Sequence, residues 1–469
     1  MDVDRVAVIG AGPCGIGAAK YLIAERKFSN ITIFEQRDVP GGLWNYTGDE
    51  GVTNTLEIPR PTPSQEPQQP SNGKFISPVY DSLETNIPKS LMQFTEFAFP
   101  EEKALFPAHA DVKDYLHEYA EELRPFTRFR STVLDVSLVN EPKKKWKVTW
   151  RNLESGLDEN AFFDAVVVAN GHYNDPYLPA LPGLDEWKEK YPGSITHSST
   201  YRRPGDFAGK KVIVVGNSAS GIDIALQISK VSKGPVLISE RTPSTLSPEQ
   251  LKFAKDLPEI RLLDAENARV QFTNGLEEFD IDHILFCTGY HCSLPFLSSL
   301  QPAIVTDGVR PHHLYRHLLY TPEPTLALIG FPQRVVPFPL SQAQGAWVAR
   351  VFSGRVTLPP RSEMEQWIEE WTAIRGSGKG FSTLSFPLDA EYINSLSELS
   401  SQAVLKEGLE NDGRGKRPPF WDEKQKWVRE QFPLIKSASL ALGSRRSEVR
   451  TLEDLGFDYQ NNKKQTANL

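Results

Sequence analysis

The feature that most constrains this chain is a phosphate-cradling pattern that occurs twice. Val6-Ala7-Val8-Ile9 is a short apolar run, and Gly10-Ala11-Gly12-Pro13-Cys14-Gly15 follows it directly. A helical segment over 16–25 and a second strand-like run, Ile31–Phe34, complete the unit. Gly10 permits the tight turn, Gly12 lets a pyrophosphate approach the backbone, and Gly15 lets helix and strand pack closely. The helix start adds free N–H groups and partial positive charge. Pro13 and Cys14 lie within the turn and join the cofactor-binding candidates. A helix start can lower a thiol's pKa; the plainer reading of Cys14 is a small residue that fits the turn. Glu35 closes the second strand, where a carboxylate accepts from ribose hydroxyls and repels a 2′-phosphate. FAD or NAD fits this site and NADP does not; Gln36 is a candidate contact beside it.

The pattern returns at Gly216-Asn217-Ser218-Ala219-Ser220-Gly221, again between a strand, 211–215, and a helix, 222–229. Ser218 replaces the middle glycine, and its hydroxyl can donate to a phosphate. Arg241, after the strand 236–238, suits a 2′-phosphate through a charge-assisted fork. Its neighbour Glu240 falls where an acid selects a bare ribose, so NADPH is the preferred reading and NADH stays open. Two copies of one nucleotide-binding unit imply an α/β fold of two Rossmann-like dinucleotide-binding domains. The Pro-rich stretch 174–210 marks the first boundary. The expected division is a discontinuous FAD domain, 1–173 and 321–469, with a smaller NADPH domain, 174–320, inserted.

Between these units the pattern predicts a surface loop over 48–73 and a helix over 111–123. Paired strands are expected at Val133–Val139 and Trp146–Trp150 around a turn at 141–145, and a buried strand at Phe163–Ala169. Later come two short strands within 269–289, a strand at Leu326–Ile329, and helices at Ala343–Phe352, Ser362–Ile374, Ala390–Leu396 and Glu423–Glu430. Hydrophobic residues at 39% supply real cores. A net charge of −8 argues against nucleic acid or an anionic membrane as partner. Three cysteines form no disulfide framework and have no metal-ligand spacing, which points to a reducing compartment, taken here as the cytoplasm. No secretory leader, long apolar run or membrane anchor is expected.

Gly41-Gly42-Leu43-Trp44 lets backbone lie against a flat ligand, with Gly42, Leu43 and Trp44 as contacts and Trp44 packed along a flavin. YPGSITHSSTY at 191–201 resembles the identifying motif F-x-G-x-x-x-H-x-x-x-Y of the flavin-containing monooxygenases, with Tyr191 in place of the first Phe. GGLW, FDAVVVANGHY, FDIDHILFCTGY, LETNIPKSLMQF at 83–94 and QAQGAW at 342–347 also fall where that family has them. The chain looks most like the soluble fungal and plant branch.

The resemblance implies FAD and NADPH as cofactors. It implies O₂ addition to the flavin, a C4a-hydroperoxide, and attack by a soft S or N nucleophile of a small molecule. It makes Asn86 the catalytic candidate, facing flavin and nicotinamide. Thr85, Val133 and Tyr173 join the cofactor-binding set, Tyr173 at the nicotinamide. Gln344 and Trp347 match residues near the flavin's redox ring. His197 and Tyr201 are expected to support the hinge and the nicotinamide cofactor. A Baeyer–Villiger monooxygenase shares the plan, but has Trp-Pro or Trp-Asp where this chain has Tyr201-Arg202. A flavin or disulfide reductase also shares it; here Cys287 and Cys292 follow the second unit rather than lying in the first. A redox-sensing cofactor-binding protein is the non-enzymatic alternative. Homo-oligomerisation stays open.

Overall fold

In the computed structural model, residues 1–48, 61–68, 70, 74–140, 144–242 and 252–461 are described. The apolar run after Asp4 forms the strand Arg5–Ile9, with Val6, Ala7 and Val8 fully buried. It pairs in parallel with Asn30–Phe34 on one side and Ala165–Val168 on the other. Continuous apolar strands of this kind belong inside a sheet covered on both faces. The sheet has seven strands, in the order Leu314–Tyr315, Leu319–Tyr320, Leu326–Leu328, Ala165–Val168, Arg5–Ile9, Asn30–Phe34, Thr127–Arg128. Leu319–Tyr320 runs antiparallel to its two neighbours, Leu314–Tyr315 and Leu326–Leu328, and the other neighbouring pairs are parallel.

A second sheet of five parallel strands has the order Ala254–Leu257, Val236–Ser239, Val212–Val215, His283–Phe286, Ile195–His197. The repeat seen in sequence extends to individual hydrogen bonds. The Gly10 N–H donates to the Phe34 carbonyl at 2.8 Å, and the Gly216 N–H to the Ser239 carbonyl at 2.9 Å. The Ala169 N–H donates to Ile9 and the Cys287 N–H to Val215, at 2.9 and 2.8 Å. Two antiparallel three-stranded sheets, 131–163 and 260–279, flank the Rossmann units.

The first dinucleotide helix, Pro13–Ala24, packs on the buried helix Pro337–Phe352. Their close approach needs small residues: a side chain at Gly345 would come within 2.5 Å of Ala18 Cα. Sequence alone placed the second helix at Ala343, because Pro337 and Pro339 read as irregular. Both prolines sit in its first turn, where no intrahelical N–H is required.

Other elements differ in extent. The helix at His109–Tyr119 passes into a 3-10 turn that holds Pro125. Phe163 ends a separate strand, Asp158–Phe163, that pairs with Lys145–Asn152. The helix begun at Glu423 continues through Pro433 to Ala441. The strands at 314–320 pair in the first sheet, so the first unit resumes before residue 321. Parts of the expected loop (49–60, 69 and 71–73) and of the expected turn (141–143) lie outside the described residues.

Candidate cofactor and oxygenation site

The ends of the central strands open into one cavity of about 1970 Å³. Pockets for one small molecule occupy about 300–1,000 Å³, so this one has room for more than a single ligand. The first glycine turn forms its floor. Gly10 has φ +101°, and a side chain there would lie 2.6 Å from the Ala169 carbonyl. A side chain at Gly15 would overlap the Gly10 carbonyl. Gly12 caps the helix with extended backbone, Pro13 takes its first position, and no acidic residue stands in the first turn. The helix start is therefore open to an anion. The Gly41 N–H donates to the Ala11 carbonyl at 2.9 Å, which binds the GGLW segment to this turn.

Gly10, Gly12, Pro13, Cys14, Glu35, Gln36, Gly42, Leu43, Trp44, Thr85, Asn86, Val133 and Tyr173 all line the cavity. Gly15 lies beneath the turn and does not. Glu35 is buried, with one oxygen accepting the Ala11 N–H at 2.9 Å and the other the Arg37 N–H at 2.8 Å. Burial raises its pKa, against the Arg37 charge and these N–H donors. The Cys14 thiol is pushed by burial up to about 12, so no thiolate forms there at neutral pH. Four buried polar atoms of the lining residues, Gln68 Oε1, Thr132 Oγ1, Asn170 Oδ1 and His172 Nδ1, have no partner among the described residues. Such groups are costly unless something bonds them. With the glycine cradle and the open helix start, they fit a large polar cofactor with phosphates.

Asn86 is exposed in the cavity, on a loop held from both sides. Upstream, the Tyr80 hydroxyl bonds Asp223 and the Ser82 hydroxyl donates to Gln227 at 2.7 Å, both on the second dinucleotide helix Ala219–Ile228. From the other side, the Lys436 ammonium of helix Glu423–Ala441 donates to the carbonyl of the preceding residue, Thr85, at 2.8 Å. The Tyr201 hydroxyl also donates to Gln227, at 3.0 Å, so this motif residue braces the junction rather than lining the cavity.

His197 is likewise buried and bonded within the protein. Its Nε2–H donates to the Gly289 carbonyl, and Nδ1 accepts the Ser199 N–H, both at 3.1 Å. Burial pushes its pKa down to about 4. The neutral ring ties the linker motif to the end of strand His283–Phe286.

The second turn repeats the first. Gly216 has φ +108°, with Cys287 O 2.7 Å from a would-be side chain, and Gly221 packs against the Gly216 carbonyl. Ser218 caps the helix; Ser218 and Ser220 are exposed. Ala219 reaches the large cavity, while Gly216, Asn217, Ser218, Ser220, Gly221 and Arg241 stay off its wall. The Asn217 amide donates to Glu240 and to the Thr242 carbonyl, each at 2.7 Å. Glu240 is therefore engaged by the turn itself, while Arg241 stands exposed beside it.

Gln344 and Trp347, which the resemblance put near the flavin's redox ring, are not among the residues that line the cavity. Gln344 is fully buried; it accepts the Gly330 N–H at 2.8 Å and donates to the Tyr392 hydroxyl at 3.2 Å. Trp347 is packed in the core. Their helix meets the cavity only at its start, through Pro337 and Phe338. Sequence reasoning missed Thr132, Asn170 and His172, and also Arg334 and Glu430, which line the cavity from segments with no motif. For Asn170 and His172 a signal was readable: they end the segment FDAVVVANGHY, just past a buried strand.

Residues 67–249 and 258–410 match the Flavin-binding monooxygenase-like family, and residues 8–59 match the NAD(P)-binding Rossmann-like domain. Flavin-containing monooxygenase FMO GS-OX-like 7 of Arabidopsis thaliana is 35% identical, over 83% of this chain and 82% of its own. The structure of S-allyl-L-cysteine S-oxygenase from Allium sativum superposes with a TM-score of 0.76 at 28% identity, covering 99% of both chains. Cyclohexanone monooxygenase, at 16% identity and a TM-score of 0.56 over 85% of this chain and 97% of its own, shares the fold alone. FAD and NADPH are the cofactors that these matches and the two glycine turns support together. A protein with this fold, this cradle and these relatives is a monooxygenase that belongs to the flavin-containing monooxygenase family.

Proposed function

We propose that the protein uses FAD and NADPH to place one oxygen atom of O₂ on a soft sulfur or nitrogen of a small molecule. In balance, a thioether, O₂, NADPH and a proton give the sulfoxide, water and NADP⁺. The observation that carries this reading is a single cavity reached by the first glycine turn, by Asn86 and by the start of the second dinucleotide helix. Flavin reduced by nicotinamide supplies the activated oxygen. Sulfur is the favoured atom, since the garlic relative is an S-oxygenase by name.

The chain's residues bind and exclude rather than carry protons. Gly10, Gly12 and the helix start at Pro13 would hold the FAD pyrophosphate, and Glu35 its ribose. Gly216, Ser218 and Arg241 would hold NADPH, with Arg241 at the 2′-phosphate. Asn86 offers an amide donor and acceptor together at the junction of the two sites. Cys14 is held as a thiol and His197 as a neutral ring, so neither supplies a titrating group near pH 7. Water exclusion matters because stray protons divert the oxygen to H₂O₂. We place the activity in the cytoplasm; among the described residues no helix is long and apolar enough to cross a membrane.

The test is purified holoprotein with NADPH and a panel of thioethers, amines and ketones. Sulfoxide or N-oxide formed one-to-one with NADPH is expected. Ester from a ketone would point to Baeyer–Villiger chemistry instead. NADPH consumption that yields only H₂O₂ with every compound would sink the proposal.

A further inference from the structure

One wall of the cavity carries two charged side chains, Arg334 and Glu430, that have no side-chain partner among the described residues. Helix Glu423–Ala441 supplies this wall. Lys436 reaches the Thr85 carbonyl, and Glu430, Phe432 and Pro433, in the turns before it, line the cavity. Arg429 is engaged in structure. Its Nε donates to the buried Asp389 carboxylate at 2.6 Å, and another guanidinium N–H donates to the Arg334 carbonyl at 2.9 Å. The second bond clamps the turn at Arg334 against the helix.

Arg334 sits in left-handed backbone, φ +60°. A non-glycine residue persists there only where its surroundings enforce it, and such residues cluster at ligand sites. The Arg334 and Glu430 side chains are exposed and line the cavity, and neither makes a hydrogen bond or ion pair with a described residue. Phe386, Phe432 and Pro433 add apolar surface to the same lining.

We infer that Arg334 and Glu430 form a substrate subsite for a zwitterion: a small molecule with a carboxylate, an ammonium group and an apolar arm that ends in the soft sulfur. The inference rests on the oxygenation reading above and narrows it to a substrate class. An arginine fork matches a carboxylate bidentately, and its opposite charge on the neighbouring segment selects the ammonium. A neutral thioether leaves both charges without partners and gains only apolar contact. Specificity of this kind comes from site groups that the wrong ligand leaves unpaired.

The experiment compares an S-alkylcysteine, its methyl ester, its N-acetyl derivative and a neutral dialkyl sulfide of equal arm length. The wild-type holoenzyme and R334A, R334K and E430Q are used, with sulfoxide and NADPH both measured. The zwitterion should exceed the neutral sulfide in kcat/KM by about tenfold or more, the scale of one charge-assisted contact. Esterification should remove most of that preference in wild type. In R334A the KM for the zwitterion should rise about tenfold or more relative to that for the neutral sulfide, with partial recovery in R334K. E430Q should lower the preference for the free amine over its acetylated form.

FAD content and the flavin spectrum of each variant are recorded alongside. Equal kcat/KM for zwitterion and neutral sulfide in wild type overturns the inference while leaving the oxygenation reading intact. So does an R334A effect that is the same on both, or that appears as lost FAD. If no thioether at all yields sulfoxide, it is the oxygenation reading that has failed.

Discussion

Acidification offers a quantitative check on the role given to His197. Its ring is 2% exposed, with both nitrogens bonded inside the protein, and burial pushes its pKa from 6.5 down to about 4. Above pH 6.5 the ring is neutral in both folded and unfolded chains and contributes no pH dependence. As the pH falls below 6.5 the unfolded chain takes up a proton that the folded one refuses, so stability drops. The loss is complete near pH 4, where the folded ring protonates. A pKa moved from 6.5 to about 4 corresponds to about 3 kcal/mol in full, and to about 2 kcal/mol already lost at pH 5.

Replacing His197 with Gln keeps an N–H for the Gly289 carbonyl and removes the titrating ring. The variant should be less stable at pH 7 by about 1–2 kcal/mol, because the Ser199 N–H loses its acceptor. Between pH 7 and pH 5 it should lose about 2 kcal/mol less than the parent does. Urea unfolding of the holoproteins at both pH values, followed by tryptophan fluorescence, measures the two differences. The same pH-dependent loss in both proteins would refute the buried, neutral assignment. A lower kcat at unchanged stability would refute the purely structural one.

Asn86→Ala should retain FAD but oxidise NADPH mostly to H₂O₂, with product yield falling severalfold; an unchanged yield removes Asn86 from the reaction. Gly15→Ala forces a methyl onto the Gly10 carbonyl, and the protein should purify with little flavin; a fully yellow variant would show that the turn does not need this close approach. Arg241→Ala should raise KM for NADPH about tenfold or more and leave KM for NADH nearly unchanged, as steady-state assays with the two cofactors will show. Equal effects would assign the 2′-phosphate to another residue.

Legibility followed the range of the interactions. The glycines at 10, 12 and 15 and at 216 and 221 were readable because a turn between strand and helix imposes its own local geometry. The site was readable only in part, since its walls come from remote segments. That Gln344 lies off the cavity wall was not readable, because the motif fixes its helix but not which way that helix faces. Its amide is used by Gly330 and Tyr392, which lie elsewhere in the chain. Arg334 and Glu430 carried no signal: neither has local spacing, and they meet only through the Arg429 clamp. The helix over Pro337–Phe352 began earlier than the prolines implied, because a first turn tolerates residues that a helix interior does not.

The residue order alone determined two dinucleotide units, the turns that cradle phosphates and the family motif between them. These are decided within a few residues by backbone sterics and hydrogen bonding. Tertiary structure decided which groups face the ligands. It brings the Asn86 loop between Asp223, Gln227 and Lys436, engages the His197 ring and the Gln344 amide inside the protein, and leaves Arg334 and Glu430 on the cavity wall without a side-chain partner among the described residues. Those outcomes depend on contacts between residues far apart in the chain, and only packing determines which side chains are buried by partners and which remain free for a substrate.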